Sequence, residues 1–271
     1  CYCETCAQIA SIMWNWRMLL MTGEARFADL LELTMYNGFL SGVSLDGRGF
    51  FYVNPLQSSG KDQDSGRKRA ERQEWWDCAC CPPNVMRLIA SLGHYFATGD
   101  STGLQVHQYG GCTIESQTGY GQRIVLRMET EYPWQGLVKI VVDQAPSAAW
   151  RLSLRVPAWC ERASLRVNGQ EWDAPAVPGA YVTVDRAWQK DDKVQLDLAM
   201  PPRMVQGNPR IEAIRGRVAI QRGPVVYCLE QADQGESADV AEVEIDPSSP
   251  IRETWQDDLL GGVTTLELAG F

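Results

Sequence analysis

Two short segments concentrate the side chains capable of metal or nucleophilic chemistry: Tyr2-Cys3-Glu4-Thr5-Cys6 and Cys78-Ala79-Cys80-Cys81-Pro82-Pro83-Asn84. Each offers soft sulfur donors, and the first adds a carboxylate. Zinc favours four ligands drawn from Cys, His and Asp or Glu. His94 and His107 are the sole histidines, so a His-rich site is excluded by arithmetic. Glu4 and Cys6, two positions apart, point the same way only from extended backbone, as at a helix entrance. Cys80 and Cys81 are adjacent and reach one ion together only from irregular backbone. Pro82 is expected to supply it, because a residue preceding proline is pushed toward extended conformations. A helix opening near Pro83 would aim its positive end at these thiols and favour their ionisation. Three readings stay open at this level: a catalytic metal site, a structural zinc knot and a disulfide pair. The spacing lacks the symmetric C-x2-C repeat of a zinc ribbon, which weakens the knot.

The elements that must position these residues follow from apolar patterning. From Thr5 to Met21 apolar and aromatic residues dominate, which suits a buried helix stopped by Thr22-Gly23. A second helix is expected from Glu24 to Leu40, with Phe27, Leu30, Leu31, Leu33 and Thr34 as its apolar face. Residues 41–77 break into Gly, Ser, Asp and Pro punctuation around a short strand, Phe50 to Val53; long loops of this kind are functional or disordered. Pro82-Pro83 then opens a third helix, Asn84 to about Ala97, proline being well placed where first-turn N–H groups lack helical partners. Beyond Thr98-Gly99-Asp100 the period changes to two. Strands are expected at residues 104–109, 113–117, 123–129, 137–142, 151–156, 164–167, 171–172, 181–184, 194–198, 218–222 and 225–229. Asn168-Gly169 is a hairpin signal. Short strands at this spacing indicate a β-sandwich, and Pro201-Pro202 marks a break before a further sheet domain.

Bulk properties narrow the function classes. Hydrophobic residues make up 45% and charged residues 22%, and the net charge is −9 from 34 acidic and 25 basic residues. A nucleic-acid partner would need a basic face, which this balance opposes; the run Lys61 to Arg72 is diluted by Asp62, Asp64 and Glu71 and reads as a solvated loop. No apolar run approaches the roughly 20 residues of a membrane span. Of the nine cysteines, Cys112, Cys160 and Cys228 are scattered singly, as buried free thiols are. The chain starts at Cys1 and ends at Phe271 straight after an apolar stretch, so it is expected to be a piece of a longer protein. No signal-peptide pattern is present, but with the true N-terminus expected to be missing targeting is not legible, and the compartment stays unknown with the cytoplasm favoured.

The stretch YCETCAQIASIMWNWRMLLMTGEARFADLLELTMYNGFLSGVSLDGRGFFYVNPL, followed by WWDCACCPPNVMRLIASLGHY, closely resembles glycoside hydrolase family 127, the β-L-arabinofuranosidase group. RGRVAIQRGPVVYCLE resembles the β-sandwich region of that family. The resemblance covers most of the chain and is weakest after about Gln231. It implies an α plus β, multidomain fold: residues 1–98 as the C-terminal part of an (α/α) barrel, 99–200 as a β-sandwich, and 201–271 as the start of a second one. It also implies a zinc ion bound by Glu4, Cys6, Cys80 and Cys81, with Cys80 as nucleophile. Cys78 matches a motif cysteine that is not a ligand, and Cys1 and Cys3 read as structural. The family's acid/base glutamate and its pocket histidines would precede Cys1, so no acid/base residue is assigned and residues 1–271 alone are expected to be inactive.

The implied activity is a retaining release of terminal β-L-arabinofuranose from plant-derived glycans, with a carbohydrate as partner and homo-oligomerisation left open. A hydrolase for another furanose is a close variant; a carbohydrate-binding or scaffold protein with a structural zinc is the non-enzyme alternative. Trp14 and Trp16 are expected in the core of the first helix and His94 in the core or at the surface; Trp75 and Trp76, directly ahead of the thiol cluster, are candidates for the pocket border but are not assigned to it. Asn54-Pro55 has no assigned role.

Overall fold

The computed structural model describes residues 3–54, 71–117, 121–234 and 239–270. Cys1, Pro55 and nearly all of the charged run from Lys61 lie outside the described residues. Among the described residues the fold is α plus β, with helices first and sheets after.

Helix α1 spans Thr5–Thr22, and the Gly23 N–H closes it on the Leu19 carbonyl at 2.7 Å. Its buried face is Thr5, Ile9, Ile12, Asn15 and Leu19. Trp14 is 67% exposed, contrary to the expected core position. At about 100° per residue it lies roughly 200° around the helix from Ile12, and a helix apolar on every side does not announce which side is covered. Trp16 does pack, edge-on to Tyr95 at 5.2 Å.

Helix α2 is shorter than expected, Ala25–Leu33, and runs into a π-helical turn, Thr34–Phe39, and a 3-10 turn, Leu40–Gly42. The π-helical turn lies close against α1: a Cβ on Gly38 would stand 2.4 Å from Gln8 Oε1. Asn37 in the same turn donates from Nδ2 to the carbonyls of Leu33 and Pro224 at 2.8 and 2.9 Å, and its Oδ1 accepts the Val226 N–H at 2.8 Å. The expected strand at 50–53 forms only isolated bridges, Val43 to Phe50, Phe50 to Gln73 and Glu4 to Val53. Helix α3, Cys81–Ser91, starts earlier than expected and ends in a 3-10 turn, Leu92–Tyr95.

Fifteen strands follow among the described residues. Strands β1 (Ala97–Gly99), β2 (Gly103–Val106), β6 (Trp150–Val156) and β9 (Ala180–Arg186) form one sheet in that order, with β2 and β6 parallel. The larger sheet runs β3 (Cys112–Gln117), β4 (Arg123–Thr130), β5 (Leu137–Gln144), β10 (Lys193–Leu198), β7 (Ala163–Val167), β8 (Gln170–Glu171). Asn168 and Gly169, at φ 53° and 82°, make the predicted turn between β7 and β8. Leu152, Leu154, Val182 and Val184 of the first sheet share one apolar core with Leu126, Ile140, Val142 and Leu196 of the second. Strands β11 (Arg203–Gln206), β12 (Val218–Arg222) and β13 (Val225–Tyr227) form a third sheet, and β14 (Arg252–Gln256) pairs with β15 (Val263–Glu267). Strands β1, β11, β14 and β15 were not foreseen.

A buried charged cluster fastens α2 to the first sheet. Arg155 on β6 is fully buried, and its guanidinium reaches Asp29 Oδ1 and Glu32 Oε1 of α2, each at 2.5 Å. Tyr132 Oη and Trp159 Nε1 also donate to Glu32, at 2.5 and 3.0 Å. Each charge therefore meets opposite charge or strong donors, the condition for burying it. The apolar face proposed for α2 is corrected accordingly: Leu30 and Leu33 are 45% and 38% exposed, and Glu32 points inward at 1%.

A candidate thiolate and metal site

The two cysteine-bearing segments meet where α1 and α3 begin. Glu4 is extended (φ −108°, ψ 138°) and immediately precedes α1, while Cys6 is the second residue of that helix. Segment 50–53 straps this entrance: the Thr5 N–H bonds to the Tyr52 carbonyl at 3.1 Å and Thr5 Oγ1 to the Phe51 carbonyl at 2.6 Å. Cys80 directly precedes α3 and Cys81 is its first residue. The expected extended backbone ahead of Pro82 is not found, for Cys80 has φ −91° and ψ −38° and Cys81 is helical. Both thiols still converge, because helical side chains tilt toward the N-terminus and those at the very start project past the helix end.

The resulting cluster is compact. Cys6, Cys80 and Cys81 Sγ all lie within 4.8 Å of one another, with Cys6–Cys81 and Cys80–Cys81 each at 3.8 Å. Glu4 Oε1 is 4.0 Å from Cys80 Sγ. A tetrahedral zinc with Zn–S bonds of about 2.3 Å would hold its sulfurs roughly 3.8 Å apart, so the donor set fits that ion. Sulfurs at 3.8 Å are not disulfide-bonded, and the thiols are free. Cys3 is directed elsewhere, accepting from Gln8 Nε2 at 3.0 Å. Cys78 adjoins the cluster, half-buried, as a hydrogen-bond partner of Cys80.

The three thiols are electrostatically unequal. Burial would raise Cys80, but hydrogen bonds with Cys6, Tyr52, Cys81 and Cys78 outweigh it and hold the thiol below its ordinary value. Burial pushes Cys6 up to about 11 against a hydrogen bond from Asn84, and burial plus the neighbouring Cys6 charge pushes the fully buried Cys81 up strongly. Cys80, half-buried, is thus the most easily ionised and the more accessible of the adjacent pair.

Three family descriptions match in chain order: the GH127 β-L-arabinofuranosidase catalytic domain over residues 1–94, the middle domain over 103–200, and the C-terminal domain of glycoside hydrolase family 127 over 202–260. The chain belongs to glycoside hydrolase family 127. A non-reducing end β-L-arabinofuranosidase of Bifidobacterium longum subsp. longum is 34% identical, over 98% of this chain and 41% of its own length. Among solved structures, a glycoside hydrolase superposes with TM-score 0.93 at 36% identity, over 99% of this chain and 44% of the other. A family 127 β-L-arabinofuranosidase from Geobacillus stearothermophilus T6 gives 0.92 at 39% identity, over 100% of this chain and 43% of the other. The family 127 chain described here therefore spans less than half the length of these relatives.

Two members of the site escaped sequence reasoning. Tyr52, buried and edge-on to Trp76 at 6.0 Å, hydrogen-bonds Cys80; nothing in its apolar segment signals a polar role. Asn84 donates from Nδ2 to Cys6 Sγ at 3.2 Å; its place four residues after Cys80 was the available clue, since such spacing shares a helix face. Trp76 is core, donating from Nε1 to the Phe50 carbonyl at 3.0 Å, whereas Trp75 is 65% exposed. His94 lies at the surface, and Cys228 is exposed rather than buried.

Proposed function

We propose that this chain carries the nucleophile and the metal ligands of a retaining glycoside hydrolase that releases terminal β-L-arabinofuranose from glycans. The observation that carries the reading is the convergence of Cys6, Cys80 and Cys81 Sγ within 4.8 Å, with Glu4 Oε1 4.0 Å from Cys80. Zinc held by Glu4, Cys6, Cys80 and Cys81 would keep the thiols deprotonated at neutral pH. Cys80 then takes the place of the nucleophilic carboxylate of an ordinary retaining glycosidase. Its Sγ attacks the anomeric carbon, the glycosidic C–O bond breaks, and the leaving oxygen takes its electron pair and a proton from the general acid. Water next attacks the same carbon, gives a proton to that acid's conjugate base, and displaces the Cys80 thiolate. Two inversions leave net retention. Tyr52 steadies the thiolate at both stages by hydrogen bonding. The acid/base glutamate, on the family pattern, stands ahead of the Glu4-Thr5-Cys6 segment and outside residues 1–271.

The same reading assigns residues 1–98 to the C-terminal part of an (α/α)-barrel catalytic domain, 99–200 to a β-sandwich and 201–271 to the start of a second sandwich. The sharing of one core by two sheets supports the middle assignment. The test is Cys80→Ser in the full-length protein, assayed on a β-L-arabinofuranoside. Turnover is expected to fall on the order of 10³-fold or more, with fold and metal content retained through Glu4, Cys6 and Cys81. Unchanged turnover removes Cys80 from the role and leaves the zinc structural.

A further inference from the structure

Asn84 lies in the first turn of α3, three residues after Cys81. Because helical side chains lean toward the N-terminus, its carboxamide reaches back over the thiols. Its backbone N–H bonds to the Cys80 carbonyl at 3.2 Å, and its Nδ2 stands 3.2 Å from Cys6 Sγ on the other helix. One residue thus ties Cys80, just ahead of α3, to the thiol of α1. Only the NH2 end of the amide can face an ionised sulfur, since the carbonyl oxygen would meet it as an acceptor against an acceptor.

Charge counting shows why such a donor is needed. Three thiolates and one carboxylate bring four negative charges against the two positive charges of zinc. The excess must be dispersed in a site whose Cys81 is fully buried. Hydrogen bonds to charged acceptors do this and are stronger than neutral ones.

We propose that Asn84 is a positioning residue of the thiol site: its carboxamide donates to the Cys6 thiolate, disperses the excess charge of the ligand set, and keeps Cys6 a permanent ligand while Cys80 reacts. The inference rests on the zinc–thiolate reading above. The division of labour is visible in the donors: Cys6 receives the carboxamide, and Cys80 receives the Tyr52 hydroxyl.

The experiment uses the full-length protein with Asn84→Ala, Asn84→Leu and Asn84→Gln. Leucine fills the same volume without a donor, and glutamine keeps the carboxamide on a longer stem. Zinc affinity is read by chelator competition, and the sulfur-to-metal charge-transfer band is read after cobalt(II) replaces zinc. Asn84→Ala and Asn84→Leu are expected to lose about 10- to 100-fold in zinc affinity. Their band should move to lower energy, because a thiolate without its hydrogen bond gives up charge more readily, and Asn84→Gln should recover part of both effects. Affinities within about twofold of wild type and an unmoved band would overturn the role of Asn84, well short of the roughly 10-fold minimum for such partners. Wild-type protein that binds no zinc would instead overturn the metal reading itself, and this inference with it.

Discussion

Replacing Glu32 by Gln changes one oxygen for an amide nitrogen and leaves the shape of the side chain intact. The carboxylate accepts from Arg155 at 2.5 and 3.3 Å, from Tyr132 at 2.5 Å and from Trp159 at 3.0 Å, all in a fully enclosed setting. The glutamine retains one acceptor oxygen and turns an NH2 toward at least one of these donors. Breaking a buried ion pair from one side costs about 3–5 kcal/mol, because the surviving charge stays enclosed. Asp29 still faces Arg155 at 2.5 Å, which places the expectation at the lower end, about 3 kcal/mol. For a chain of this size that corresponds to a fall in Tm of roughly 6–12 °C. Urea unfolding followed by far-UV circular dichroism and tryptophan fluorescence measures it. Glu171→Gln is the control: its Arg166 partner is 3.7 Å away and both are exposed, so its effect should stay below about 0.5 kcal/mol. A double-mutant cycle with Arg155→Met isolates the pair. If Glu32→Gln costs less than about 1 kcal/mol, the pair is not desolvated and the account of how α2 is fastened to β6 is wrong.

Other consequences follow from the same geometry. His107 is fully buried between Thr98 Oγ1 at 2.9 Å and Tyr181 Oη at 2.7 Å; burial, aided by the Arg155 charge, lowers its pKa to about 3. The unfolded chain then binds a proton that the folded chain refuses, so stability should fall as pH drops from about 6.5 toward 3, with a slope of up to about 1.4 kcal/mol per pH unit. His107→Gln should show a slope shallower by about one proton, and identical slopes in the two proteins would count against it. Residues 1–271 produced alone should hydrolyse β-L-arabinofuranosides no faster than background, and should self-associate through the exposed apolar faces around Trp14, Leu20, Met21, Met86 and Ile89. Brisk turnover by that polypeptide would show that a general acid lies within it.

Fastening α2 to the first sheet also bears on the thiol site. The π-helical turn after α2 packs on Gln8 of α1, four residues beyond Glu4 and two beyond Cys6, so displacement of α2 would reach the ligands through that contact. The Glu32 variant therefore belongs in the same zinc titration as the Asn84 variants, where a purely local effect on stability would leave affinity unchanged.

The chain alone determined what depends on neighbours in sequence. The switch of period beyond Thr98 marked the strands from β2 to β10, because a half-buried strand writes its own alternation into the chain. Asn168-Gly169 marked its hairpin because both positions take positive φ, which those residues tolerate. The two cysteine-bearing segments stood out because clustered thiols beside a carboxylate and a double proline are rare, while the choice of Glu4, Cys6, Cys80 and Cys81 among them came from the family resemblance. What the tertiary structure decided concerns residues far apart in sequence. Arg155 and Glu32 lie 123 residues apart. Nothing in ARFADLLEL says that its glutamate is enclosed while Leu30 and Leu33 face outward; the polarity pattern points the other way. Trp14 was misplaced because α1 is apolar all round, leaving the covered side to be chosen by α2, α3 and the 50–53 strap. Tyr52 and Asn84 became members of the site only when α1 and α3 brought their first turns together. Local backbone preference is encoded residue by residue, whereas a partner across the core is chosen by which faces can close around it, and that choice exists only once the chain is folded.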